Sequence, residues 1–383
     1  KWTEGFPTVP VKDLVIHPRE HDLVIGTFGR AAWVLDDIRP LRAIAKNKAI
    51  LKQNLELFEP PIAYQVAYQQ PTGSRFGGDA LYNGENRNYG AIISYYIGLD
   101  NIEELSDEKH SKINDFDHKK TPVSETKAPK IKWDSIKLKI YDGERLIRTL
   151  KRKAPKTSGI YKWVWRMDEK GADRPSRLIQ KRKHEPGGIA VKPGKYKIVM
   201  SFGNQTSENM VTVASDPRIN VNKNTIDEIY STLKEIQDMR QITADAVKQL
   251  VESKTIAYDY SQTLANINET AFKDHIKTSK DMVEKINKLI AIYLGKEDER
   301  QGITRNSQAN VSQRIGTANR YVASRQNGIT STERRLLKHA KDDLKSALDQ
   351  TNAFYKEEWN SYKTTMESLD ISPFKDTTTF TID

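Results

Sequence analysis

The sequence predicts a multidomain chain in which β structure comes first and α structure last, and three observations carry that reading. Near the N-terminus, three short β-branched runs are separated by turn residues: "VKDLVIHP" (11–18), "HDLVIGTF" (21–28) and "AAWVLDDI" (31–38). Alternating apolar runs return between Tyr89 and Ile219. From Thr225 onward, apolar residues recur at steps of three, four or seven with charges between them, which is a helical period.

The first element is a small antiparallel sheet in residues 1–45. Pro18 with Arg19 and Glu20 makes one reversal and Gly29-Arg30 the next, while Trp2, Val11, Leu14, Ile16, Leu23, Ile25, Trp33 and Leu35 supply the faces to be buried. Three strands are too few to stand alone in water, so this sheet needs cover. Residues 46–82 read as a linker, with Gly, Pro, Asn and Ser at loop density in "QQPTGSRFGGDALYNGEN".

Residues 83–220 carry the runs "GAIISYYIG", "IKLKIYDGERLIRTL", "GIYKWVWRM", "GKYKIVMSF" and "ENMVTVAS". Asp142-Gly143 between two alternating stretches is a hairpin signal, and the set predicts an antiparallel β-sandwich. A charged insertion at about 101–130 interrupts it as a long surface loop. Residues 221–370 predict an antiparallel bundle of four helices, with a tail at 371–383. The first helix uses Ile226, Ile229, Leu233, Ile236, Met239, Ala246 and Leu250. The second, near 271–294, stops at Gly295. The third covers roughly 307–326, and the fourth opens on a Thr330–Glu333 capping box and runs through Tyr355, Trp359, Tyr362 and Met366.

Composition excludes several chemistries. The chain has 383 residues, 62 Lys plus Arg against 51 Asp plus Glu, and no cysteine. Disulfides, Cys-ligated zinc, iron–sulfur clusters and thiol catalysis are therefore out of reach. The acidic residues are interspersed with the basic ones, so the formal charge of +11 makes no extended basic face and nucleic acid is not the expected partner. No run of about 18 apolar residues predicts a transmembrane segment.

Few residue clusters suggest a site. His17 and His21 have the spacing of a zinc-binding helix, but Pro18 forbids that helix, so no metal site is expected. "GGIAVKPGKY" has the wrong glycine spacing for a phosphate loop, and Pro193-Gly194 reads as a strand-entry turn. Asp36 and Asp37 are adjacent, and in an alternating strand they would point to opposite faces, so they are not an acid–base pair. No catalytic residue and no cofactor is assigned. Gly26, Gly29 and Arg30 form a "GTFGR" turn, with both glycines serving positive φ and Arg30 capping carbonyls or facing a ligand. Trp163 and Trp165 line one side of a strand, as core or as a carbohydrate-stacking platform. "RPSRLIQKRKH" (174–184), with Arg174, Arg177, Lys181, Arg182 and Lys183, joins "LKRKAPK" (150–156) as a pair of basic loops suited to an acidic partner or to lipopolysaccharide phosphates.

The stretch "FPTVPVKDLVIHPREHDLVIGTFGRAAWVLDDIRPLR" resembles the final blade of sortilin-like repeat propellers found in large bacterial secreted proteins. The phrase "YNGENRNYGAIISYYIG" is similar to the segment after that blade in the family, at Asn86, Gly90, Ala91, Ile93, Tyr95 and Tyr96, while Arg87 and Asn88 depart from the usual Pro pair. The runs "IYDGERLIRTL", "SGIYKWVWRMDEKG", "AVKPGKYKIVM" and "VTVASDPRIN" resemble an immunoglobulin-like sandwich of the flagellar-hook-cap type.

The resemblance implies a terminal β-propeller blade, an immunoglobulin-like β-sandwich and a C-terminal helical bundle, with the other blades upstream or on another chain. It implies an extracytoplasmic, non-catalytic component that binds a protein or peptide partner. A glycoside hydrolase with its carboxylates in other blades is the alternative. An assembly subunit is a third idea, and it predicts an outward apolar stripe for which Tyr355, Trp359, Tyr362 and Met366 are the candidates, residues that internal bundle packing explains equally well.

Overall fold

The computed structural model describes residues 5–66, 87–100, 102, 133–179, 182–297 and 309–371. The chain is mixed α plus β and divides into two units. The first comprises 1–170 and 190–220, and the second 171–189 and 221–383. Most of the charged insertion, the glycine-rich part of the linker, Lys181 and all but the first residue of the tail lie outside the described residues.

In the first unit, β1 (Val11–Ile16), β2 (Leu23–Thr27) and β3 (Ala32–Leu35) form a three-stranded antiparallel sheet in that order. A helix, α1 (Arg39–Lys46), and a 3-10 turn at Lys48–Lys52 come next. Two three-residue strands, β4 (Leu55–Leu57) and β5 (Ala63–Gln65), then arise inside the stretch expected to be a linker. They precede β6 (Ala91–Ile97), β7 (Ser135–Asp142), β8 (Arg145–Lys153), β9 (Gly159–Trp165) and β10 (Asp168–Lys170). The last strands of this unit are β12 (Gly194–Phe202) and β13 (Gln205–Ser215), while β11 (Gly187–Ala190) falls in the second unit except for Ala190.

Two sheets, β5-β13-β12-β7-β8 and β4-β6-β9, share one core. At one edge β5, which comes from the segment expected to be a linker, runs parallel to β13, whereas the pairs β12-β13, β12-β7, β7-β8 and β6-β9 are antiparallel. Trp165 and Tyr196 meet edge-to-face at 5.5 Å in this core, as do Trp133 and Phe202 at 4.9 Å. β6 is the central strand of its sheet. Ala91, Ile93, Tyr95 and Ile97 enter the shared core, while Tyr96 on the opposite face packs with Ile50, Phe58 and Ile44 of the α1 region. Burial on both faces explains why "AIISYYI" is apolar at every position but Ser94 rather than alternating.

Gly90 enters this strand at φ +132, and a Cβ there would stand 2.4 Å from the Trp165 carbonyl oxygen. Only glycine lets β6 and β9 close at that point. The hairpin at Gly143-Glu144 forms where the Asp-Gly signal places it, with Asp142 opposite Arg145.

The second unit is built on α2 (Lys223–Asn268), α3 (Lys273–Leu294), α4 (Val311–Ala323) and α5 (Ser331–Phe354), continued through a π turn at Tyr355–Trp359 into α6 (Asn360–Glu367). Helix starts reflect capping chemistry. Asn222 accepts from the Asn224 N–H. Asn310 with Gln313, and Thr330 with Glu333, make reciprocal capping boxes. Helix α3 ends at Gly295, as its sequence predicts.

Three hydroxyl pairs cross the bundle core: Tyr293 with Thr351 (2.8 Å), Tyr362 with Ser279 (3.0 Å) and Tyr355 with Ser253 (3.0 Å). Thr351 and Ser279 also donate back to the carbonyls of Ala347 and His275. Their hydroxyl protons are thereby committed, and Tyr293 and Tyr362 must be the donors. Tyr362 and Met366 are buried, and Tyr355 and Trp359 pack against the same core. The stripe expected to face outward for assembly therefore faces inward, because these aromatics complete the bundle.

Candidate functional site

The three-stranded sheet is the first place to look, because register sorts its side chains into two apolar faces. Leu14, Ile25 and Trp33 lie directly opposite one another, as do Ile16, Leu23 and Leu35. Those two rows share one face, and the row Val15, Val24 and Val34 occupies the other. Only Ile25 is buried. Leu14 is 57% exposed, Val15 54% and Val34 58%, so among the described residues both faces are largely open along β1 and β3, while Ile25 is buried and Phe6 packs edge-to-face on Trp33 at 5.5 Å. A soluble surface seldom carries such a contiguous apolar patch without a partner.

The turns are tightly specified. The His17 N–H donates to the Asp22 carbonyl at 2.8 Å, the His21 N–H donates to the His17 carbonyl, and the His17 Nδ1 accepts from the Glu20 N–H. The two histidines thus hold a turn. Among the described residues no group of three His, Cys, Asp or Glu side chains is placed to hold a metal ion. At the second reversal Gly29 takes φ +78, while Gly26 lies in the strand outside the positive-φ region, where a Cβ would make only ordinary contacts. The expectation that both glycines serve positive φ is corrected accordingly. Arg30 is exposed, and its carbonyl accepts from the Trp33 Nε1 at 2.8 Å.

One end of the sheet is anchored by cations from elsewhere in the unit. Arg87 donates to Glu20 Oε2 at 3.0 Å and to Asp22 Oδ2 at 2.7 Å, and its Nη2 lies 3.7 Å from Asp36 Oδ1. Lys162 of β9 donates to the Asp36 carbonyl at 2.9 Å, and Arg39 pairs with Asp37. Strand β3 ends at Leu35, so Asp36 and Asp37 are separated by the chain's exit turn rather than by strand alternation. Asp37 sits at φ +52 with its N–H on Asp22 Oδ1. Asp37 pairs with Arg39 through Oδ1, while the half-exposed Asp36 lies at the edge of the Arg87 cluster. Burial alone would raise the Glu20 carboxyl, but hydrogen bonds from Arg19 and Arg87 bring it below its ordinary value. Desolvation acts against the Arg87 charge, and Asp22 and Glu20 more than compensate, raising its pKa.

The two tryptophans part company. Trp165 has no exposed surface and donates through Nε1 to the Asp168 carbonyl at 2.9 Å, so it cannot meet a ligand. Trp163 is half-buried, with the Arg152 guanidinium 4.5 Å from its ring centroid and 5.0 Å from that of Tyr95. The face a sugar would stack on is taken by an arginine.

The basic loop belongs with the helices rather than with the strands that flank it in sequence. The Asp173 N–H donates to Gln241 Oε1 at 2.9 Å, and Arg177 donates to the Gly295 carbonyl and pairs with Glu297 at 3.0 Å. Arg182 lies 3.7 Å from Asp173. Arg174, Arg182 and Lys183 are exposed, and Lys181 lies outside the described residues. Arg177 also borders an open groove of about 410 Å³ with Lys254, Glu284, Lys288 and Ile290.

Sequence reasoning missed Arg87 as a site residue, since its partners lie 65 and 67 positions away. Its departure from the expected Pro pair was the available signal. What defines this protein as a class is a two-sheet β unit carrying an anchored small sheet whose faces are largely exposed among the described residues, together with a helical unit. Comparison with family models, with curated proteins and with solved structures gives no match.

Proposed function

We propose that the chain is a non-catalytic binding and scaffold component of the bacterial envelope or cell surface, and that β1–β3 is one blade of a sortilin-like propeller. The observation that carries this reading is the pair of open apolar faces, Leu14-Ile16-Trp33 on one side and Val15-Val34 on the other. A propeller blade buries both faces against its neighbours, whereas a sheet at the surface of an ordinary domain leaves one polar face to water. The Arg87 anchor supports the same reading, because it fixes the blade to the domain that comes after it while leaving both faces open.

On this reading the two-sheet core is an immunoglobulin-like sandwich, with β5 beside β13 as its parallel edge, and the helical unit serves as brace or docking surface. A peptide or protein partner binds on the completed propeller.

The test is the intact mass of the native polypeptide, combined with hydrogen exchange across β1–β3. A mass well above that of these 383 residues, with slow exchange in the sheet, supports further blades in the same chain. A matching mass with cross-links from Lys12 to a second protein supports blades supplied in trans. A matching mass in a monomer whose β1–β3 amides are as protected as those of β12 would overturn the reading, because the sheet would then need no cover.

A further inference from the structure

Strand β8 carries three arginines, and their surroundings differ. Arg145 donates to both oxygens of Glu169, at 2.9 and 3.0 Å, and Arg148 has Asp168 at 3.6 Å. Arg152 has no carboxylate partner among the described residues. Register fixes where it points. Arg148 and Arg152 stand opposite Ile140 and Ile136, both fully buried, so both arginines lie on the core-facing side of β8.

Strands β8 and β9 are outer strands of the two sheets, and Arg152 reaches from one to the other. Its guanidinium lies 4.5 Å from the Trp163 ring centroid and 5.0 Å from that of Tyr95, and its Nη1 donates to the Lys162 carbonyl at 3.3 Å. The group is thus held in place with most of its five N–H donors unused. Nε and Nη2, which make one bidentate edge, have no partner among the described residues, and neither atom is sealed from solvent.

The neighbouring charges do not answer this cation. Lys151 and Lys153 alternate to the other face of β8, and Lys162 is bonded to the Asp36 carbonyl. Asp36 stands with Arg87, Asp100 accepts from Ser158 Oγ at 3.3 Å, and Asp134 is exposed. The acids between 103 and 132 lie outside the described residues. Desolvation, opposed by no neighbouring acid, pushes the Arg152 guanidinium below its ordinary value. A half-buried guanidinium on an aromatic support, with one planar edge open, gains most from a planar anion.

We propose that Arg152 anchors a binding site for an organic carboxylate, with Nε and Nη2 forking its two oxygens while Trp163 and Tyr95 hold the guanidinium in place. A phosphate dianion calls for several cations, and the lysines beside Arg152 are turned away or bonded elsewhere, so a singly charged planar acid fits better. The site lies within the first unit and is independent of the propeller reading, so either can fail without the other.

The test is saturation-transfer NMR on the full chain with N-acetylphenylalanine, its neutral amide and glucuronate, with inorganic phosphate as competitor. The expected result is transfer to at least one of the two acids and none to the amide. The tighter acid tells a chain-end carboxylate from a sugar acid. Arg152→Gln weakens the bound acid about tenfold or more, the share of a charge-assisted pair. Arg152→Lys keeps the charge, loses the fork and weakens it nearly as much. Lys153→Gln, on the opposite face, leaves binding unchanged. Circular dichroism and thermal unfolding establish that each variant folds, and the Lys variant decides if the Gln variant does not. No transfer to either acid, equal transfer to the amide, or wild-type binding by a folded Arg152 variant overturns the proposal. So does displacement by phosphate at equal concentration, which would mark a site for any anion.

Discussion

Replacing Arg87 with Gln should loosen the small sheet without unfolding the unit that holds it. Arg87 is 30% exposed, and Asp22, its shortest contact, is 13% exposed. At an effective dielectric of about 20, unit charges about 4 Å apart attract by about 4 kcal/mol. Desolvation of the guanidinium and partial exposure take back roughly half, which leaves about 2 kcal/mol. An opening equilibrium changed by that amount moves hydrogen exchange about 30-fold. The assay is amide exchange at Val24 and Ile25 of β2, with β12 as an internal reference. The sign with pH comes from Glu20, whose folded value is lowered. Its contribution is present above the ordinary glutamate value and fades as pH falls through the folded value, so the gap between wild type and variant narrows in acid. Exchange in β2 that changes less than twofold, or a gap that does not depend on pH, would refute the anchoring argument.

Single positions elsewhere in the molecule give further tests. Gly29→Ala should cost about 1 kcal/mol through its positive φ, whereas Gly26→Ala should be near neutral, and thermal unfolding separates the two. Gly90→Ala sets a Cβ against the Trp165 carbonyl and should destabilise the two-sheet unit by several kcal/mol in a denaturant titration. In the bundle, Tyr293→Phe removes a donor from a threonine still bonded to Ala347, at about 1 kcal/mol, and Thr351→Val strands a buried tyrosine hydroxyl and should cost about 1–3 kcal/mol; chemical denaturation ranks the pair. Glu333 is held down to about 2 by Arg325 and then Thr330. Its stabilisation is present above the ordinary glutamate value and is lost as pH falls toward 2, so Glu333→Gln should flatten the acid dependence of exchange at the start of α5.

Much of this architecture is legible where a pattern outlasts its own turn signals. Strands β6–β9, β12 and β13 announce themselves by alternation or by a nearly continuous apolar run, and the Thr330–Glu333 box marks the start of α5 to the residue. The misses share a cause: the contacts that decide them lie far away in sequence. "LEL" and "AYQ" are too short to show alternation and become strands only because β6 and β13 offer them edges. Helix α2 runs well past Leu250 because Ser253, Ala257, Ser261 and Leu264 continue its buried face with small or polar side chains that a hydrophobic reading passes over. The basic loop sits among the β-strands in sequence, yet its partners Gln241, Gly295 and Glu297 are helical-unit residues. Arg87 reads locally as an irregular turn, and its role appears only when Glu20, Asp22 and Asp36 converge on it.

The placement of that loop also sets an order of events on the ribosome. The chain enters the helical unit at 171, returns for the last strands at 190, and leaves again at 221. Gly295, which accepts from Arg177, is synthesised 118 residues later. At about 5–20 residues per second, the loop waits roughly 6–24 s for its brace. Through that interval β12 and β13 can complete their sheet, and the loop gains its first outside partner, Gln241, before its second. This part of the helical unit is thus made early and secured late, so the nascent chain holds an exposed Leu178-Ile179 pair on a half-braced loop until α3 arrives.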